Sequence, residues 1–291
     1  MNRTKGPGAS VILAETLNAI REKLGDKDPV TVERVVLGLF FTGVKLSNGY
    51  GGVCYTPIKA IPEAVCCPSS AKAMPAPGRL RGRNAVQFAD EALAGSPLQK
   101  ALGIAVINAL SNEYLAQGPS AAYVVKPGVD PIDELPLSED AFVVVVGALV
   151  PYLRMLKARA KPFCVLEQDP ATLKPDEMPF YKPAEQAAEM VPRADVMITT
   201  GTTLINGTLE VLLMMARRDA RIVVVGPTAS MLPDAFFRRG VYAVGGVRVT
   251  DPDQLLDVLA EGGSGYHFFG KAAEKVSMVA ITGEKPASPG S

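Results

Sequence analysis

The chain has no tryptophan, a single histidine and only four cysteines in 291 residues. A lone histidine, His267, cannot assemble a histidine metal centre or a histidine acid–base pair. Proton transfer would therefore fall to carboxylates, Tyr, Lys, Cys or bound water. The cysteines, Cys54, Cys66, Cys67 and Cys164, are too few for a disulfide framework in a chain of this size, and reduced thiols are the expectation. Long hydrophobic runs are also missing. The longest, residues 141–151, is far short of a bilayer span and lies between Asp140 and Arg154. Residues 1–10 lack the apolar core of a signal peptide, so the expectation is a cytoplasmic protein with no membrane partner. Neither sign of charge is in excess, with 30 Lys and Arg against 30 Asp and Glu. Only residues 79–83 are locally basic, which argues against nucleic acid as a partner.

What is present is a globular composition, 48% hydrophobic and 21% charged, in a chain long enough for two domains. Leu13, Leu17, Ile20 and Leu24 fall on one helical face, and Gly25 ends that helix. Residues 31–55, rich in Val, Leu and Phe around a glycine-rich turn, read as a β-hairpin or meander. Two helices follow over residues 84–94 and 97–112, the second with a broad stripe of Leu98, Leu102, Ala105, Val106, Ala109 and Leu110. Residues 1–117 thus read as a small α+β domain. The proline-rich, acidic residues 118–139 read as a linker. From residue 140 to 281 strands and helices alternate, the pattern of a parallel sheet covered by helices, and residues 282–291 read as a tail. The fold class is α/β.

In an open parallel sheet, ligands bind beyond the carboxyl ends of the strands. Four such ends can be placed, at Gly147 to Pro151, at Glu167 to Pro170, at residues 200–208, and at Gly226 to Ser230. The third is the most unusual, because a strand over residues 194–198 runs into a helix through a turn holding Thr200, Thr202, Thr203, Asn206, Gly207 and Thr208. One helix cap needs one hydroxyl, and this turn offers several. Together with its glycines, the turn reads as a seat for an anionic group, with Gly147, Gly226 and Thr228 allowing close approach. Glu167, or Asp169 beside it, would take a hydroxyl or an amine.

Glu167 lies twenty residues after Gly147, which is about the spacing of the acid that holds a dinucleotide ribose. The turn after the first strand nevertheless has one glycine where the dinucleotide fingerprint has three, and Leu149 and Pro151 crowd it. NAD is therefore not expected. Asn48 and Tyr50, in the glycine-rich turn of the first domain, are suited to hydrogen-bond a small molecule from the other side of a cleft. Cys66 and Cys67 could offer thiolates to a soft metal, with Cys54 as a third, although adjacent cysteines lack the spacing of a zinc site. Cys164 falls in a strand and reads as core.

Residues 103–110, 199–208, 225–228 and 245–249 resemble a family of uncharacterised microbial proteins whose C-terminal half carries a heavy-metal chelation label. The likeness extends from about Ala9 to Gly270, and Thr-Gly-Thr-Thr-x-x-Asn-Gly-Thr is its most specific piece. It implies an enolase N-terminal-like first domain, a Rossmann-like second domain and an active site between them, with no enolase activity because the catalytic barrel is lacking. The leading expectation is a small anionic or nucleotide-like ligand in the interdomain cleft of an enzyme whose reaction the residues do not specify. Two alternatives stand beside it: a heavy-metal or metal-complex binder using cysteine thiolates, and a regulatory module that binds without turnover. Expected partners are thus a small molecule or a metal, with association into a homo-oligomer left open.

Overall fold

Ser10 opens the first helix, α1 (Val11–Leu24), by accepting a hydrogen bond from the Leu13 amide, and Gly25 closes it with φ at 54°. Leu13, Leu17 and Ile20 lie on its buried face. These elements belong to a computed structural model that describes residues 10–25, 29–60, 76–118, 120–133, 135 and 137–281. The next stretch forms an antiparallel meander of β1 (Val32–Leu37), β2 (Phe41–Leu46) and β3 (Gly51–Tyr55). Two short helices follow, α2 (Ala85–Ala89) under an Asn84 cap and α3 (Glu91–Ala94). The long α4 (Pro97–Leu115) then starts from a Ser96–Gln99 capping box with proline in its first turn. α4 lies directly on β3. A side chain at Gly52 would put its first carbon 2.1 Å from the Ala105 carbonyl oxygen, so only glycine permits that approach.

Beyond α4 the chain builds one eight-stranded sheet. Its strands are β4 (Tyr123–Pro127), β5 (Val143–Val146), β6 (Phe163–Glu167), β7 (Tyr181–Pro183), β8 (Val196–Thr200), β9 (Arg221–Val225), β10 (Val241–Val249) and β11 (Ala273–Ala280). Between them come α5 (Val150–Arg159), α6 (Ala187–Met190), α7 (Leu209–Met215), α8 (Asp234–Phe237), α9 (Pro252–Ala260) and α10 (Gly265–Phe268). The order across the sheet is β4-β11-β10-β9-β8-β5-β6-β7. From β10 to β7 every pair is parallel, whereas β11 and β4 are added antiparallel. The stretch that reads as a linker, residues 118–139, therefore includes an edge strand. β11 falls where the sequence reading places no strand.

Chain direction across the sheet reverses between β5 and β8, which places a crevice at their carboxyl ends. Alternate strand residues face opposite sides. Val144, Met197, Ile222 and Val224 join α1 and α4 in one apolar cluster, and Val143, Val145, Ile198 and Val223 join Tyr152, Leu153 and Leu156 of α5 in another. The N-terminal part thus covers one face of the large sheet. Charged contacts tie the same seam: Glu15 accepts from Arg238 at 2.7 Å and from Arg239 at 2.6 Å, and Glu210 accepts from the Ile12 amide at 3.2 Å. Among the described residues no helix is long and apolar enough to cross a membrane.

Candidate functional site

The threonine-rich segment forms a 3-10 turn, Gly201–Leu204, followed after a short link by α7. Leu204 and Ile205 are buried and pin the turn to the core. Its hydroxyls divide into two sets. Thr203 Oγ1 donates to the Thr200 carbonyl at 2.7 Å, and Asn206 Oδ1 accepts from the Thr208 hydroxyl at 2.7 Å and the Thr208 amide at 3.2 Å. Those groups are used within the turn. Thr200 Oγ1 accepts from the Thr202 amide at 3.3 Å and lies 3.3 Å from Thr202 Oγ1; both residues are half-buried beside the crevice. Gly207 takes φ at 71°, and Thr208, the residue before α7, makes no side-chain cap. The threonines therefore shape the 3-10 turn, which Thr200 caps, rather than cap α7.

Three other strand ends meet this one. Gly147, at φ 96°, faces the Thr200 methyl so closely that an added carbon would sit 2.9 Å from it. Gly201 faces the turn after β9 in the same way, at 3.0 Å from the Ala229 nitrogen and 3.2 Å from Thr228 Cβ. Gly226, at φ 112°, has open space where a side chain would point. Glu167 spends its carboxylate on backbone: Oε2 accepts from the Ala148 amide at 2.9 Å, and Oε1 accepts from Gln168 at 2.7 Å and Asp169 at 3.1 Å. It joins the loops after β5 and β6, which is a positioning role in place of the free acceptor expected from its spacing.

The N-terminal part supplies a cover for these ends. The Tyr55 amide donates to Thr228 Oγ1 at 3.2 Å, and Thr228 is buried there. Four residues on, the Lys59 ammonium pairs with Asp169. The Asp169 partner raises the pKa of Lys59, and Lys59 in turn lowers that of Asp169. Thr228 follows β9 and Asp169 follows β6, three strand spacings or about 14 Å apart. A segment that meets the sheet at both places spans the ends of β8 and β5, where strand order reverses. Its start is fixed further by Asn108 of α4, whose amide nitrogen lies 2.8 Å from the Val53 carbonyl, 3.1 Å from that of Pro227 and 3.2 Å from that of Thr228.

Of the residues expected at the site, Gly147, Glu167, Asp169, Thr200, Thr202, Gly226 and Thr228 come together at the strand ends. Thr203, Asn206, Gly207 and Thr208 complete the turn behind them. Asn48 and Tyr50 do not join them. Asn48 donates to Glu113 near the end of α4 and accepts from the Tyr50 amide, at the opposite end of β3 from Tyr55. The length of β3 keeps this turn about 13 Å from the crevice cover. Tyr55, Lys59 and Asn108 escaped the sequence reading. Lys59 follows a strand with no local pattern to mark it, but Asn108 could have been found, because a polar residue on the buried side of an apolar helix needs partners.

The thiols bear on metal binding. Burial pushes Cys54 up to about 12 and Cys164 up to about 11, so both are protonated at neutral pH and neither is a ready ligand. Cys54 is thus unsuited to be a third thiolate. Among the described residues no group of three or more His, Cys, Asp and Glu side chains could hold a metal ion. Cys66 and Cys67 lie outside the described residues.

Comparison with known proteins follows this architecture. Two family models, both described as "Putative heavy-metal chelation", match residues 130–278 and 20–111. An uncharacterized protein of Methanocaldococcus jannaschii is 31% identical over 202 residues, which are 67% of this chain and 72% of the relative. A crystal structure of a protein of unknown function from Pyrococcus horikoshii superposes with a TM-score of 0.72 at 21% identity, covering 93% of this chain and all of that one. A second, from Desulfitobacterium hafniense, gives a TM-score of 0.67 at 19% identity, covering 92% of this chain and 98% of the other. Both solved structures are assigned to the DUF364 family, and its model spans more than half of this sequence; the chain belongs to that family.

Proposed function

We propose that the chain binds a small anionic or nucleotide-like molecule across the carboxyl ends of β5 and β8, between the large sheet and the segment Tyr55 to Lys59. The observation that carries this reading is the crossing itself. A segment of the N-terminal part meets the large sheet on both sides of the place where strand order reverses, by a hydrogen bond to Thr228 and an exposed ion pair with Asp169, over half-buried Thr200 and Thr202 and beside Gly226, which leaves open space. The order β7-β6-β5-β8-β9-β10 also supports describing this portion as Rossmann-like, a fold that binds ligands at this crevice. Hydroxyls recognise oxyanions, and Lys59, a cation that the crossing segment brings there, suits the same charge. Among the described residues the crevice presents hydroxyls, a carboxylate held by three amides and the Lys59–Asp169 ion pair, so the reading extends to binding and leaves turnover to assay. NAD remains disfavoured, because Glu167 is occupied by three amides and Leu149 and Pro151 open α5.

Heavy-metal binding is the second reading, and the family description favours it. The described residues do not fit a metal centre, so such a site would have to draw on Cys66 and Cys67. Thermal-shift measurement against nucleotides, pyrophosphate, citrate and divalent metals separates the two. Stabilisation by an oxyanion that Thr200→Val and Thr202→Val abolish supports the crevice. Stabilisation by metal alone, lost in a Cys66→Ser, Cys67→Ser double variant, replaces it with the metal reading.

A further inference from the structure

We infer that Lys59 is the specificity-determining cation of the strand-end site and that Asp169 competes with the ligand for it, so that the site admits molecules bearing an oxyanion strong enough to take Lys59 over. This rests on the strand-end reading above and names the group that selects the ligand. Lys59 sits at the far end of the crossing segment. Its side chain is 64% exposed and that of Asp169 is 43% exposed. Ion pairs this open to water contribute little to stability and rearrange at small cost. The backbone on either side is held independently of the pair. Thr56 Oγ1 donates to the Gly38 carbonyl at 2.9 Å, and Tyr55 is tied to Thr228. Asp169 Oδ1 accepts from the Ala171 amide at 3.0 Å, leaving Oδ2 to face Lys59. Exchange of Lys59 from Asp169 to a ligand therefore needs only side-chain motion.

The surrounding charge gives the pair its selectivity. Glu167 and Asp169 place two carboxylates at the end of β6, and both act on Lys59. An anion entering the crevice meets that negative charge unless Lys59 turns to it, whereas a neutral ligand gains nothing from the exchange. Phosphate and carboxylate share this chemistry. Phosphate offers more acceptor oxygens to the Thr200 and Thr202 hydroxyls, and a carboxylate presents a flat pair.

The test uses the full chain with inorganic pyrophosphate and citrate as probes, and titrates Lys59→Gln, Asp169→Asn, the double variant and Lys59→Arg by calorimetry. Asn at position 169 keeps an oxygen for the Ala171 amide and removes only the charge. Lys59→Gln is expected to weaken binding about tenfold, the loss of one charge-assisted hydrogen bond. Asp169→Asn is expected to tighten it several-fold, with the double variant matching Lys59→Gln and Lys59→Arg retaining binding. A pair that merely fastens two loops would shift both single variants in the same direction, and that result overturns the inference. So does an unchanged Lys59→Gln when Thr202→Val weakens binding, although the strand-end site then stands. Failure of both probes to bind the wild-type chain, or binding indifferent to Thr200→Val and Thr202→Val, removes the strand-end reading and this inference with it. Where the expected pattern holds, a response to pyrophosphate alone assigns a phosphate ligand and a response to citrate alone a carboxylate.

Discussion

Along α4, Asn108, Ser111 and Asn112 are buried, and each is bonded to the backbone of another element: to Val53, Pro227 and Thr228, to the Leu232 amide, and to the Gly51 carbonyl. At the strand ends Thr200 and Thr202 are only half-buried, and the Thr202 hydroxyl has the Thr200 hydroxyl as its partner. Both sets are small polar residues among apolar ones, yet their roles diverge. A backbone carbonyl cut off from water must be satisfied in place, so the α4 residues are fixed for stability. Hydroxyls that border solvent and bond weakly to each other can change partner at little cost, which leaves them free to meet a ligand. Burial, rather than residue type, separates the structural seam from the candidate site.

The comparison breaks first at Gly52. Alanine there drives a carbon into the α4 backbone at Ala105 and Ala109, where neither element can yield without separating β3 from α4. Overpacking of this kind is expected to cost about 3 kcal/mol, read as a lower denaturation midpoint with unchanged slope. Asn108→Ala comes next, at about 2 kcal/mol, because three carbonyls lose their common donor. A loss below about 0.5 kcal/mol for Asn108→Ala would mean that the seam is no more committed to stability than the strand-end turn.

The acid limb of stability sharpens the contrast on the other side of the seam. The Arg239 guanidinium, with Arg238 beside it, holds the Glu15 carboxyl down to about 2, well below its ordinary value of 4.5. A lowered folded pKa means that the stabilisation is complete above about pH 4.5 and is lost as pH falls toward 2. Glu15 is 33% exposed, so solvent screening leaves about 1 kcal/mol. Glu15→Gln should flatten the fall in stability between those pH values and leave stability at neutral pH about 1 kcal/mol lower. An acid limb identical to wild type would assign the pH dependence to other carboxylates.

The alternating pattern after residue 140 made the large sheet legible, since Val-rich runs between helical repeats have few other arrangements. β4 and β11 were not legible, because an edge or antiparallel addition is specified by its partner strand, and its own residues carry no clear period. The site divides in the same way. Gly147, Thr200, Thr202, Gly226 and Thr228 could be found because strand ends can be counted along the chain. Lys59 could not, because its position depends on a contact between residues 110 apart in sequence. Asn48 and Tyr50 misled because a glycine-rich hairpin turn has the same composition whether it faces a crevice or, as here, the far end of α4.

The smallest expected effect on stability is also the one that decides the comparison. Thr200→Val and Thr202→Val keep shape and β-branching and remove two half-exposed hydroxyls whose mutual contact is 3.3 Å, long for a hydroxyl pair. Thr202→Val should change stability by no more than about 0.5 kcal/mol, the range of substitutions that leave no buried group unsatisfied, whereas Thr200→Val also takes the acceptor from the Thr202 amide and should cost about 1 kcal/mol. Thr203→Val is the internal control. Its hydroxyl donates to the Thr200 carbonyl at 2.7 Å and the residue is buried, so valine there should cost about 1 kcal/mol and disturb the turn. If the half-buried hydroxyls serve a ligand, Thr202→Val weakens pyrophosphate or citrate binding about tenfold while its denaturation midpoint barely moves, and Thr203→Val lowers both. If Thr202→Val instead loses as much stability as Thr203→Val and binding is unaffected, the whole turn belongs with the α4 seam as structure, and the crevice between β5 and β8 has no ligand to hold.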